Sequence, residues 1–261
     1  MMFSATDVGK EKMILEGLRA VIWDFNGTLV DDTALAVRSI NAQLSRRGLP
    51  VLTVDSYRAV FGFPMTEYYR RLGFDLEVET LEGLADGFHE TYLPGLPECS
   101  LHEGVVELLE AMSGAGLSQF VLSAMEEGAL RAAIERLGID RHFTGVYGLG
   151  SRLADSKVLR GKELLQDFGL RGTETLLIGD TDHDAEVGCA LGLSVALVAQ
   201  GHQSAERLRA TGSPVHSDFR ELSEALALPE AEQRRVCEGR GLFAATPPSS
   251  SPAPPSARRA R

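Results

Sequence analysis

Five short apolar runs, rich in β-branched residues, punctuate the chain: 19–23 (RAVIW), 119–123 (QFVLS), 143–148 (FTGVYG), 175–179 (TLLIG) and 194–199 (SVALVA). Runs without polar alternation predict strands buried on both faces, as in a parallel sheet. Between them the apolar residues recur every three or four places. Val105, Leu108, Leu109 and Met112 share one helix face; Leu130, Ile134 and Leu137 share another, closed by Gly138. Leu164, Leu165 and Phe168 precede Gly169 in the same way. Strands alternating with helices predict an α/β domain with right-handed crossovers.

Residues 31–100 break the alternation, with no strong strand. Val37, Ile40 and Leu44 fall at helical spacing, and Gly48-Leu49-Pro50 ends that helix. A second helix is expected over 65–73 (MTEYYRRLG), and Val78, Leu81, Ala85, Phe88 and Tyr92 mark a third. The stretch 93–98 (LPGLPE) reads as a hinge or linker. The pattern predicts a Rossmann-like parallel-sheet core, residues 1–30 and 101–230, carrying an all-helical cap at 31–100. Residues 231–261 read as a largely disordered tail, since 246–261 holds five of the eleven prolines and almost no apolar bulk.

The 261 residues suffice for one large core or a core with a smaller companion. A net charge of -11, from 37 acids against 26 bases, argues against nucleic acid or an anionic membrane as partner, though not against a local basic pocket for phosphate. Cys99, Cys189 and Cys237 are far apart and odd in number, which suggests a reducing cytoplasm rather than a disulfide framework or a metal spacing. The first 17 residues lack the apolar stretch of a signal peptide, and no run approaches the ~18 apolar residues that span a bilayer.

In an open parallel sheet, ligands bind beyond the carboxyl ends of the strands. Asp24 stands at one such end, Ser123 at a second and Asp180 at a third, so three distant polar groups are expected in one crevice. In "DFNGT" the bare N–H of Gly27 can approach an anion. Asp24 can be a nucleophile that forms an acyl phosphate. Asp180 and Asp184, four apart in "GDTDHD", are oxygen ligands of the kind that suits Mg²⁺. Ser123 with the N–H of Ala124 could hold phosphoryl oxygens, and Lys157 or Lys162 could supply the compensating charge. Each feature has a plain structural alternative: a helix cap, a turn serine or a solvated lysine. Their order, and their shared place at strand ends, carry the reading.

The segments "DFNGTL", "FVLSAM", "SKVLRGKELL" and "LLIGDTDHDAEVGCALG" resemble, in order, the four motifs of the haloacid dehalogenase superfamily. The likeness covers about residues 18–227, and its end is similar to phosphoglycolate-phosphatase-like members. It implies Mg²⁺-dependent phosphoryl transfer on a small phosphorylated metabolite. Asp24 is then nucleophile and metal ligand, the carbonyl of Asn26 and Asp180 are further ligands, and Asp184 is a ligand or a support for one. Gly27, Thr28, Ser123 and Ala124 bind phosphate, Lys157 is the motif lysine, and Lys162 is the fallback. Residues around Phe63-Pro64 shape the substrate pocket. Arg70 and Arg71 meet an acidic substrate group or, more plainly, form surface ion pairs. Monomer and homodimer both remain open.

The superfamily's phosphatases carry an aspartate where this chain has Asn26. That acid protonates the leaving oxygen and activates water, worth about 10²–10⁴-fold. An amide does neither, so a second reading is a weak or inactive phosphate-ester binder. His183 or His89 are candidate substitutes for the acid. Dehalogenation needs no Mg²⁺ and sits poorly with intact Asp180 and Asp184. Phosphonate cleavage would need a cap lysine, and residues 31–100 contain none.

Overall fold

The computed structural model describes residues 17–150 and 156–226. Six parallel strands form one sheet: β1 (Ala20–Trp23), β2 (Ser118–Glu126), β3 (Gly145–Leu149), β4 (Thr175–Gly179), β5 (Ser194–Val198) and β6 (Val215–His216). Their order is β3-β2-β1-β4-β5-β6. The five apolar runs are five of these strands. β6 has two residues, too short to leave a pattern.

β1 lies between two parallel neighbours, and all four of its residues are 0% exposed. Its side chains alternate between faces, as a strand dictates. Val21 and Trp23 join one core cluster with Leu108 and Leu109 of α5 (Val105–Gly114) and Leu130 and Ile134 of α6 (Glu127–Arg136). Ala20 and Ile22 join another with Leu164 of α7 (Lys157–Asp167) and Val187 of α8 (Asp182–Leu191). Helices therefore cover both faces, which is why these strands show no polar alternation. Two short helices, α9 (Ala205–Ala210) and α10 (Phe219–Ala225), complete the core.

Four helices are inserted between β1 and α5: Thr33–Arg46, Val54–Val60, Met65–Arg71 and Leu81–Gly95. In chain order they are α1 to α4 of the molecule. The chain enters and leaves this insert side by side: Val30 bridges Leu101, and the Asp31 N–H donates to the Ser100 carbonyl at 2.9 Å. The helix Val54–Val60 had no expected counterpart. Its signal is a reciprocal cap in which Thr53 and Ser56 each bond the other's backbone N–H. Val78 does not belong to the third expected helix. Thr80 caps that helix by accepting from the Gly83 N–H, and Val78 stands outside at 79% exposure. The expected hinge at 93–98 is instead the helix's last turn, with Pro94 inside it, followed by a 3-10 turn over Leu96–Glu98. The tail at 231–261 lies outside the described residues.

Candidate active site

Strand order reverses at β1 and β4, the position at which an open α/β sheet forms its ligand crevice. The register sets Trp23 beside Ile178, and the Asp24 N–H donates to the Ile178 carbonyl at 2.9 Å. Asp24 and Asp180 thus leave adjacent strand ends almost level. Asp24, Asp180 and Asp184 are buried, and each offers a carboxylate oxygen within 4.8 Å of the others. The Lys157 ammonium, at the start of α7, donates to Asp24 Oδ1 at 2.5 Å and to Asp184 Oδ1 at 2.6 Å. Lys162 is exposed, one turn further along the same helix. Asp184 is held on its other oxygen by the N–H groups of Asp180 and Thr181 and by the Thr181 hydroxyl, at 3.2, 3.0 and 2.7 Å.

The charges do not balance within the protein. Burial pushes Asp24 up to about 6, against the pull of Lys157, and the Asp184 charge adds to the rise. Burial pushes Asp180 up to about 7, His202 draws it down, and Asp24 raises it further. Asp184 goes the other way: burial opposes its charge, but Lys157, with the Thr181 hydroxyl, draws it down. Burial likewise opposes the Lys157 ammonium, and Asp184 and Asp24 together hold it protonated. Four buried acids, Asp24, Asp32, Asp180 and Asp184, face Lys157 and His202. An oxygen-only cluster with surplus negative charge fits a hard divalent cation such as Mg²⁺.

Two expected phosphate binders have other partners. The Gly27 N–H, held at φ +77°, donates to Asp32 Oδ1 at 2.8 Å and to the Val30 carbonyl at 3.0 Å. The Thr28 side chain is fully buried, and its hydroxyl donates to Asp180 Oδ1 at 2.8 Å. These residues build the crevice floor: Gly27 orders the loop and Thr28 orients Asp180. Ser123 and Ala124 line the cavity above Asp24, and the Ser123 hydroxyl accepts from the Met125 N–H at 3.1 Å. Arg70 is exposed and paired with Glu67, which is the plainer of its two expected roles.

Asp32 joins the site although it was not among the expected site residues. It occupies the N-cap position of α1 but makes no side-chain cap bond. Its carboxylate, 1% exposed, turns back into the site. It accepts from the Gly27 N–H, from Asn26 Nδ2 at 3.2 Å and from the Tyr92 hydroxyl, and it pairs with His202 Nε2 at 3.2 Å. Burial opposes the His202 cation, but Asp32, together with Asp180 and Asp24, lifts the imidazole to about 9. His202 Nδ1 faces the Tyr57 hydroxyl at 3.0 Å. The His202 backbone N–H donates to Asp180 Oδ2 at 2.6 Å. Asn26 fits this setting: its amide donates to Asp32 and, at 2.7 Å, to Tyr92 Oη, where a carboxylate would meet a second carboxylate. Sequence reasoning missed His202, Tyr57 and Tyr92. His202 follows the carboxyl end of β5, so the rule that picked out Asp24 and Asp180 also reaches it.

A cavity of about 310 Å³ opens over Asp24, at the lower end of the ~300–1,000 Å³ range of small-molecule sites. Its far wall comes from the insert, including Phe61, Phe63 and Met65 around the expected Phe63-Pro64 segment. His89 and His183 also line it. No helix among the described residues is long and apolar enough to cross a membrane.

The 5'-nucleotidase of Pseudomonas aeruginosa is 29% identical over 212 residues, covering 79% of this chain and 94% of that protein. A phosphoglycolate phosphatase of Rhodospirillum rubrum is 27% identical over 225 residues, covering 81% and 92%. The solved structure of protein tyrosine kinase A from Mycobacterium tuberculosis superposes with a TM-score of 0.68 at 27% identity, over 81% of this chain and 99% of that one. A family model described as haloacid dehalogenase-like hydrolase matches residues 21–198. That match begins in β1, takes in the whole insert and reaches the end of β5, so all four motif segments fall inside it, and the chain belongs to the haloacid dehalogenase-like hydrolase family.

Proposed function

We propose that this protein is a Mg²⁺-dependent phosphatase that acts on a small phosphorylated metabolite through an aspartyl-phosphate on Asp24. The observation that carries it is the Lys157 ammonium clamped between Asp24 and Asp184, beside Asp180, at the sheet's switch point. Lys157 keeps Asp24 ionised and aimed at the cavity. Ser123 and the Ala124 N–H receive phosphoryl oxygens. Asp24 attacks phosphorus in line, and the bond from phosphorus to the leaving oxygen breaks, that oxygen keeping the electron pair. Water then attacks the same phosphorus, and the bond to Asp24 breaks. Phosphate departs, and the carboxylate is restored.

Asp24, Asp180 and the backbone carbonyl of Asn26 would hold the ion, with Asp184 behind them as the partner that positions Lys157. When bound, Mg²⁺ offsets the repulsion between the nucleophile and the incoming phosphate and polarises the phosphoryl group. Residues 31–100 act as the cap, closing over substrate on the core of 1–30 and 101–230 and reopening for release. A second reading, a phosphate-ester binder without turnover, is favoured by one observation: the Asn26 amide cannot take or give a proton.

The test is phosphate release from a panel of small phosphate esters and acyl phosphates, with and without Mg²⁺. Native turnover should require the metal. Asp24→Asn should lower it by more than about 10³-fold while circular dichroism stays native. Retained metal-dependent turnover in that variant overturns the nucleophile assignment. Silence in the native protein that Asn26→Asp reverses supports the binder.

A further inference from the structure

The insert's side of the cavity is built from aromatic rings: Tyr57, Phe61, Phe63, Tyr68, Phe88 and Tyr92 line it. Phe61 meets Tyr68 edge-on at 5.2 Å between ring centres and Phe63 at 5.8 Å, and Phe88 stacks on Tyr92 at 5.1 Å. Rings that hold one another are already ordered before a ligand arrives, which lowers the entropy lost on binding. The hydroxyls of Tyr57 and Tyr92 are engaged at His202 and Asp32.

Positive charge is scarce in the same cavity. Among the described residues that line it there is no arginine. Its one lysine, Lys157, is held by Asp24 and Asp184, His202 is paired with Asp32, and His183 faces Glu186. A leaving group with its own carboxylate would find the imidazoles of His89 and His183 but no arginine or second lysine in largely apolar surroundings, an unfavourable transfer.

The third observation is chemical. Asn26 stands where a proton donor for the leaving oxygen is expected, and its amide is fixed to Asp32 and Tyr92. The residue at that position therefore gives the leaving oxygen no proton, which favours a leaving group that departs unprotonated. A phenol ionises near a pKa of about 10, whereas an alcohol oxygen, far more basic, leaves poorly without help.

Resting on the phosphatase reading above, we propose that the substrates are aryl phosphates, monoesters of phenols, in preference to aliphatic phosphates and above all to carboxylated ones. The ring lies against the aromatic wall and supplies the weakly basic oxygen that the site requires. Asp24 Oδ forms the bond to phosphorus, and the phosphorus–oxygen bond to the ring breaks. The phenolate leaves with the electron pair. Hydrolysis of the acyl phosphate by water releases inorganic phosphate and one proton, which balances protonation of the phenolate in solution.

The test is kcat/KM, with Mg²⁺, for phenyl phosphate, a series of ring-substituted phenyl phosphates, benzyl phosphate, phosphoglycolate and adenosine 5'-monophosphate. Benzyl phosphate and the nucleotide carry a ring but leave as alkoxides. Phenyl phosphate should exceed phosphoglycolate, benzyl phosphate and the nucleotide by at least about 10²-fold, the scale of one lost proton transfer. Benzyl phosphate should inhibit phenyl phosphate hydrolysis competitively, because the wall still accepts its ring. Within the substituted series, log kcat/KM should fall steeply as leaving-group pKa rises. Asn26→Asp should flatten that slope, since its carboxyl, beside the ionised Asp32, would hold a proton and could donate it. Phosphoglycolate, the nucleotide or benzyl phosphate matching phenyl phosphate would overturn the substrate class and leave the phosphatase reading standing. Absence of Asp24-dependent release from every ester would overturn both.

Discussion

At Gly27 the chain turns through a left-handed conformation, φ +77°, directly beside the charged groups of the site. A Cβ there would come within 2.4 Å of both Asp180 Oδ2 and His202 Cδ2. Neither neighbour can yield freely, because Asp180 is held by Thr28 and the His202 backbone, and His202 by Asp32. Gly27→Ala should therefore weaken metal binding and destabilise the fold by about 1–3 kcal/mol. Magnesium titration and thermal melting measure the two losses. At this scale the sequence is uneven. Asp24, Asp180, Ser123 and Lys157 are legible because strand ends and motif spacing are local signals. Asp32 reads as the start of a helix, and its backbone does stand there. What turns its side chain inward is Tyr92, 60 residues on, and His202, and no local pattern announces either.

Among the elements, α2 ties the insert to the core. The Arg58 guanidinium donates to the carbonyls of Gly201 and Gln200 at 2.8 and 2.5 Å, and the Arg58 carbonyl accepts from the Ser204 N–H at 3.1 Å. Phe61, just beyond the helix, has its carbonyl taken by Gln203 at 3.1 Å and by Arg207. These bonds set Tyr57 against His202 and so complete the wall next to Asp32. Arg58→Ala removes two charge-assisted bonds, worth about 2 kcal/mol together once solvation is counted. The urea midpoint should fall accordingly. KM should rise more than kcat falls, because Arg58 shapes the cavity wall and touches no reacting group. This helix was invisible to apolar periodicity: of its seven residues only Tyr57 is buried, and the Thr53 and Ser56 cap is its one sequence mark. α1, by contrast, was readable because it buries a full stripe that includes Val37, Ile40 and Leu44.

For the whole molecule, pH and metal are linked through the unbalanced acids. Folding raises Asp24 from 3.8 to about 6 and Asp180 from 3.8 to about 7. A carboxyl whose pKa is higher in the folded state costs stability as pH rises from 3.8 through those values, because the unfolded chain gives up the proton more readily. Asp32 and Asp184 are lowered instead, so their contribution is present above 3.8 and disappears as pH falls below it. A divalent ion relieves the first cost only where the acids are ionised. The rise in Tm on adding Mg²⁺ should therefore be small near about pH 5 and large near about pH 8. At one hundred times Kd it should approach about 2.7 kcal/mol, on the order of 5–10 °C. An equal rise at both pH values would overturn the metal assignment to these carboxylates. The sheet itself carries a consequence in time. Among the described strands β1 is made first, yet its lateral partners β2 and β4 are the second and fourth of them to emerge. At ~5–20 residues per second, the interval between synthesis of Trp23 and of Gly179 is on the order of ten seconds. Throughout it a strand destined for complete burial has at least one edge without its partner. The position that brings Asp24 to the centre of the site also makes the newborn chain dependent, for those seconds, on whatever shields an open apolar edge.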